Sequence, residues 1–233
     1  MDAAAHRDWI ADRDRVVWGR HGLASLAATH WLDDSDRACD GVPGVWHTYG
    51  VAAIGRVDGI SLRLAPGEEA HHGDVLLRGF ARDGAIAVRA YDPALVRGGS
   101  AIERAPYHPA YRVTGVFSPA VTSEATLSVD GHRSSDEFDG TVALSVDGHR
   151  VELTVQRDDD GLSARFSDAT SGVESFRFRF LDLPLPDADG AVEVDFNRAY
   201  LPPCAFSDHY LCVLPPAGNR WTVRVPAGEL QVR

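Results

Sequence analysis

The sequence of 233 residues predicts a mainly-β fold, an antiparallel meander closed as a barrel or paired as a two-sheet sandwich, with an amphipathic helix in front of it. Two observations carry this. From Val51 onward, short runs of alternating apolar and polar residues recur at strand length. Asp-Gly dipeptides separate many of them, at Asp58-Gly59, Asp83-Gly84, Asp130-Gly131, Asp147-Gly148, Asp160-Gly161 and Asp189-Gly190. Both residue types tolerate a positive φ, which a tight hairpin turn demands.

In chain order, residues 3–19 place Trp9, Val16 and Val17 on one side at helical spacing, with Arg and Asp on the other. Gly19 and Gly22 end this helix. The apolar run 22–32 is expected to be a second short helix because of its alanines, packed within the chain or against a second copy in a homodimer. Residues 33–50, rich in Asp, Gly and Pro, read as a loop. Strands follow at Ile60–Leu64, Val75–Phe80, Ile86–Tyr91, Tyr111–Phe117, Ala125–Val129, Thr141–Val146, Val151–Gln156, Leu162–Phe166 and Ser175–Phe180. Val192, Val194 and Phe196 then alternate with Glu193 and Asp195, and a final strand is expected over Trp221–Val225. Pro202 and Pro203 lack N–H donors, so the chain after Tyr200 must leave any central ladder. The domain reading is an N-terminal helical segment, 1–32, packed on a single β-rich domain, 33–233. The heptapeptide LSVDGHR occurs at Leu127–Arg133 and again at Leu144–Arg150, which suggests two similar hairpins rather than a repeat array.

Composition narrows function. Acidic residues outnumber basic ones 34 to 23, for a net charge of −11, a field that repels nucleic-acid backbones and anionic membrane surfaces. Every basic residue is Arg. Schiff-base lysine chemistry and a phosphate-loop lysine are therefore excluded. The 3 cysteines cannot close into a disulfide set without a leftover, and no apolar window approaches the roughly 20 residues of a membrane helix. No secretory leader is evident at the start. The expectation is a cytoplasmic protein with reduced thiols.

The densest chemistry lies in 195–229. Asp195, Asn197, Arg198 and Tyr200 leave a strand together, and Asn219 and Arg220 follow the second proline pair, Pro215 and Pro216. A guanidinium fork beside a carboxamide suits a small ligand with carboxylate or phosphate groups, and it equally suits a buried polar network that fixes main chain. His108, between two tyrosines in PYHPAY, is a candidate pocket wall or general base. Cys204, His209 and Cys212 form C-x4-H-x2-C, read as metal ligands, a redox pair or packed small hydrophobes. Asp168–Gly172, DATSG, reads as a turn whose Asp and Thr bond their own backbone.

These same segments, DATSG at 168–172, DFNRAY at 195–200 with the following Pro-Pro-Cys-Ala-Phe, then Cys212, Leu214–Pro216, Asn219 and Arg220, resemble the bacterial and archaeal family called domain of unknown function 1684. Trp9, Arg13, His21, Gly22, Trp31 and Leu32 extend the resemblance more loosely toward the N-terminus. Leu201 stands where the family usually has Asn, and Val213 where it usually has Pro. The resemblance implies no activity and no cofactor. The expected function is a small-molecule binding protein with its site at the strand exit: Asp195, Asn197, Arg198, Tyr200, Asn219, Arg220 and His108. The alternative is a hydrolase or oxidoreductase using His108 or the Cys204/Cys212 pair.

Overall fold

The structure, a computed structural model, describes residues 3–96, 98 and 100–233. It is mainly β, with antiparallel sheets and one N-terminal α-helix, as the turn pattern predicts. The chain forms two compact units, one of residues 1–10, 100–205 and 211–233, the other of 11–99 and 206–210. These units do not follow a division at residue 32. The helix α1 (Ala3–Trp18) closes with the Gly19 N–H donating to the Arg15 carbonyl at 3.0 Å.

The 11–99 unit contains β1 (Leu26–Trp31), β2 (Arg37–Cys39), β3 (Val42–Tyr49), β4 (Ala52–Val57), β5 (Ile60–Leu64), β6 (Glu69–His72), β7 (Val75–Arg82) and β8 (Ala85–Tyr91). They make two sheets of four strands, ordered β1-β8-β7-β6 and β2-β3-β4-β5. Trp46, Val57 and Leu64 from one sheet share a core with Ala28, Leu77 and Val88 from the other. Gly55 is required there, because a Cβ on it would lie 2.6 Å from the Trp46 ring. Two expectations fail in this unit. The 22–32 run is not an α-helix: Leu23–Ser25 is a single 3-10 turn and Leu26–Trp31 is a strand, whose pairing with β8 (His30 opposite Val88) and burial of Leu26 and Ala28 override a helix propensity worth only tenths of a kcal/mol per residue. It packs into its own unit's core. Residues 37–49 are not loop either, because a register shift between Ala38 and Cys39 lets β2 pair with β3 despite the intervening Gly and Pro.

The other unit contains β9 (Ile102–Arg104), β10 (Arg112–Leu127), β11 (Arg133–Val146), β12 (His149–Arg157), β13 (Leu162–Phe166), β14 (Arg179–Leu183), β15 (Ala191–Asp195) and β16 (Glu229–Val232). Six strands form one antiparallel sheet, β14-β13-β12-β11-β10-β15, while β16 pairs with β9. Val142, Leu153, Phe166, Leu181, Val194 and Phe196 build its core. The segments 111–117 and 125–129 merge into the single long β10, since a shift between Pro119 and Thr122 carries the ladder past the proline. The strand expected at 175–180 begins only at Arg179. The one expected at 221–225 does not form. There the main chain is held by isolated bonds, Trp221 N–H to the Ser167 carbonyl at 2.8 Å and Ala169 N–H to the Val223 carbonyl at 3.0 Å, and by side chains, and the last strand is β16 instead.

Candidate functional site

β15 ends at Asp195, before the prolines are reached. The Asp195 carboxylate accepts from the Asn197 N–H (3.1 Å) and from its Nδ2 (2.8 Å), which turns the chain into the short 3-10 segment Phe196–Arg198. An aspartate that caps its own exit stops the strand by giving the next N–H a side-chain partner. Asn197, 2% exposed, then ties down the loop before β10. Its Oδ1 accepts from the His108 N–H at 2.9 Å and its Nδ2 donates to the His108 carbonyl at 3.1 Å. Asn197 and His108, two of the candidate ligand residues, thus meet in space, through the main chain of His108. The His108 ring is exposed; its Nδ1 accepts from the Ala110 N–H at 3.2 Å.

Asn219, fully buried, plays the same part elsewhere. It accepts from the Thr154 N–H (2.7 Å) and donates to the carbonyls of Thr154 and Arg165 (2.8 and 2.9 Å). Arg220 donates to the Pro215 carbonyl through Nε and Nη2 at 3.1 and 2.9 Å. Tyr200 is bridged to Phe180, and its hydroxyl donates to Asp182 at 3.1 Å beside a separate cavity of about 250 Å³. Asn219, Arg220 and Tyr200 are therefore placed with neighbours of their own. Asp195, Asn197 and His108 are expected residues that come together, and Arg198, at the end of the same 3-10 segment, is near enough for its charge to act on Glu193.

Beside them is a cavity of about 540 Å³ lined by Tyr107, Pro109, Arg112, Val113, Thr114 and Glu193. Register explains its position: Arg112 lies opposite Asp195 and Thr114 opposite Glu193, so its floor is the β10–β15 ladder at the strand exit. The Arg112 guanidinium is hydrogen-bonded to the Glu193 carboxylate. That bond holds Glu193 below the usual carboxylate range and Arg112 above its own.

His6, on the first turns of α1, completes the group. It is 7% exposed, stacks on Trp9 (centroids 5.6 Å apart) and meets the Tyr107 ring at 5.2 Å. Its Nδ1 is buried without a hydrogen-bond partner. Burial lowers its pKa from 6.5; the Asp195 charge pulls the other way, and Arg198 and Arg104 add to the lowering. A buried neutral imidazole with an unused nitrogen is a group that can give or accept one hydrogen bond.

A family model described as "Protein of unknown function (DUF1684)" matches residues 100–230. The chain belongs to this family. It is also similar to an uncharacterised protein of Haloarcula marismortui whose structure was determined by solution NMR, at 32% identity over 55% of this chain and 75% of that one, with a TM-score of 0.45. No functionally curated protein matches.

In this DUF1684 chain the matched stretch holds the whole cavity lining, and His6 lies outside it. The sequence reading passed over His6, Arg112 and Glu193. For His6 the signal was present: it precedes Trp9 and Ile10 by three and four residues, on the helix's apolar side. Arg112 and Glu193 look like ordinary strand charges until the ladder sets them together. Cys204 and Cys212 do meet, the Cys204 N–H donating to the Cys212 sulfur at 3.4 Å. Among the described residues no three His, Cys, Asp or Glu side chains converge as metal ligands, and no helix is long and apolar enough to cross a membrane.

Proposed function

We propose that the protein binds a small molecule in the cavity at the exit of β15, and that the ligand is a compact zwitterion such as an amino acid. The observation that carries this is the pairing of one guanidinium and one carboxylate, Arg112 and Glu193, on the wall of a cavity of about 540 Å³ with Tyr107 across from a buried His6. A ligand bearing a carboxylate and an ammonium would exchange that internal pair for two charge-assisted contacts of its own. Val113 and Pro109 supply apolar surface for a side chain, and pockets of this size and mixed lining suit metabolites. The acidic net charge of −11 disfavours nucleic acid and membrane surfaces as partners. The odd number of thiols favours the reducing cytoplasm.

The test is thermal unfolding against a panel of amino acids and small hydroxy acids. A ligand at a hundredfold its dissociation constant stabilises by about 2.7 kcal/mol, which for a chain of this length raises the midpoint by roughly 5–10 °C. Arg112→Ala should abolish the rise. If no panel member moves the midpoint, or if the shift survives in Arg112→Ala, the assignment of this cavity is wrong.

A further inference from the structure

Away from this cavity, the two cysteines of the 100–233 region face one another. Cys204 sits in the short 3-10 segment Pro203–Ala205, 5% exposed, and its N–H donates to the Cys212 sulfur at 3.4 Å. The Arg177 guanidinium lies 4.0 Å from the Cys204 sulfur. The arrangement is asymmetric. The Cys212 hydrogen bond and the Arg177 charge hold the Cys204 thiol below its ordinary value, while donating to Cys204 and burial push the Cys212 thiol up. Cys39 supplies the contrast within the same chain: burial is its largest influence, its thiol is raised, and no second cysteine acts on it. A thiolate is the nucleophilic form of cysteine, and a neighbouring cation and hydrogen-bond donor are what create one.

We propose that Cys204 and Cys212 form a dithiol oxidised by small hydroperoxides, with Cys204 as the attacking sulfur and Cys212 as the resolving one. In the first step the Cys204 thiolate attacks a peroxide oxygen. An S–O bond forms, the O–O bond breaks, and the leaving oxygen takes a proton to depart as water or alcohol. Cys204 is then a sulfenic acid. In the second step the Cys212 sulfur attacks the Cys204 sulfur, forming the S–S bond and breaking S–O; the Cys212 proton leaves with the hydroxyl as water. The net change is two thiols and one hydroperoxide giving one disulfide, one water and one further molecule of water or alcohol, with sulfur oxidised and peroxide oxygen reduced. A dithiol reductant restores the pair by exchange. The near-complete burial of Cys204 admits hydrogen peroxide and turns away bulky disulfides such as oxidised glutathione.

The experiment treats the full-length protein with one equivalent of hydrogen peroxide, counts thiols after denaturation and maps the linkage by peptide mass. Of the 3 thiols, one should remain, on Cys39, with a Cys204–Cys212 disulfide that dithiothreitol reverses. Cys212→Ser should trap a sulfenic acid at Cys204 that dimedone labels. Arg177→Met, a change at an exposed side chain, should slow oxidation by roughly tenfold at neutral pH. If all thiols survive one equivalent of peroxide, or if Cys39 reacts as fast as Cys204, the proposal is overturned. Oxidised glutathione forming the disulfide faster than peroxide would also overturn it.

Discussion

Two polar clusters of the same unit are built from the same kinds of residue and end up differently. In the first, the DATSG turn, Asp168 and Arg179 form an ion pair at 3.2 Å with both side chains fully buried. Asp168 also accepts from the hydroxyls of Thr170 and Ser171, at 2.9 and 3.0 Å. Arg179 donates to the main-chain carbonyls of Val225 and Ala227 and lies over the Phe166 ring. Burial lowers the Arg179 pKa and the Asp168 charge opposes the fall. The cluster turns inward and fastens the unladdered segment 220–228. In the second, the strand exit, Asp195 and Asn197 are also committed to neighbouring main chain, but the adjoining charges of Arg112 and Glu193 line an open cavity and His6 keeps an unused nitrogen. The first cluster is closed to any ligand. The second combines a fixed frame with charged side chains on a cavity wall, which is the arrangement the proposed binding site rests on.

Mutations should separate the two. Removing one partner of a sealed ion pair strands the other, so Arg179→Ala should cost about 3–5 kcal/mol in denaturant unfolding, the largest single effect expected here. A loss under 1 kcal/mol would mean that Asp168 finds water or a new partner. Asn197→Ala strands the His108 N–H and leaves the His108 carbonyl with the Tyr111 N–H alone, and a loss of about 1–3 kcal/mol should follow. Asn219→Ala should fall in the same range.

His6 gives the third test. Its folded-state pKa lies below 6.5, so between the two values the unfolded chain binds more protons than the folded one. Its contribution is therefore fully present above pH 6.5 and is lost as pH falls below it. His6→Gln should flatten that part of the stability–pH curve, read from urea midpoints at successive pH values. An unchanged slope would place the imidazole in water. The smallest stability effect belongs to Arg112→Ala, because its solvent-screened pair with Glu193 contributes little to folding. That same substitution should remove ligand-induced stabilisation, which is what distinguishes a binding residue from a frame residue.

The legible parts of the sequence were local. Asp58-Gly59, Asp83-Gly84 and Asp147-Gly148 each adopt positive φ at both residues and close two-residue hairpins, because the conformation needed is one these side chains tolerate by themselves. Apolar/polar alternation in the sequence placed β5 and β13 at their observed ends. Also legible was the concentration of polar chemistry near Asp195 and Asn197, though not its use. Asn197 and Asn219 read as ligand-binding amides because a carboxamide has the same donors and acceptors whether it meets a ligand or a carbonyl. Nothing local marks Arg179: it is one of two Arg alternating with phenylalanines at 176–180 and carries no sign of the aspartate eleven residues before it.

The duplicated heptapeptide marks the boundary between the two kinds of information. At Leu144–Arg150 it makes a tight hairpin, with Val146 opposite His149 and Asp147 at φ 47°. At Leu127–Arg133 the same seven residues make a wider turn: Gly131 alone is left-handed, the Ser128 N–H reaches the His132 carbonyl, and Val129 donates to the carbonyl of Cys212. The sequence determined that both copies turn, since Asp-Gly favours reversal wherever it stands. Which turn forms was decided by tertiary structure, because a carbonyl from residue 212 offers the first copy a hydrogen bond that no local preference of a few tenths of a kcal/mol can outweigh.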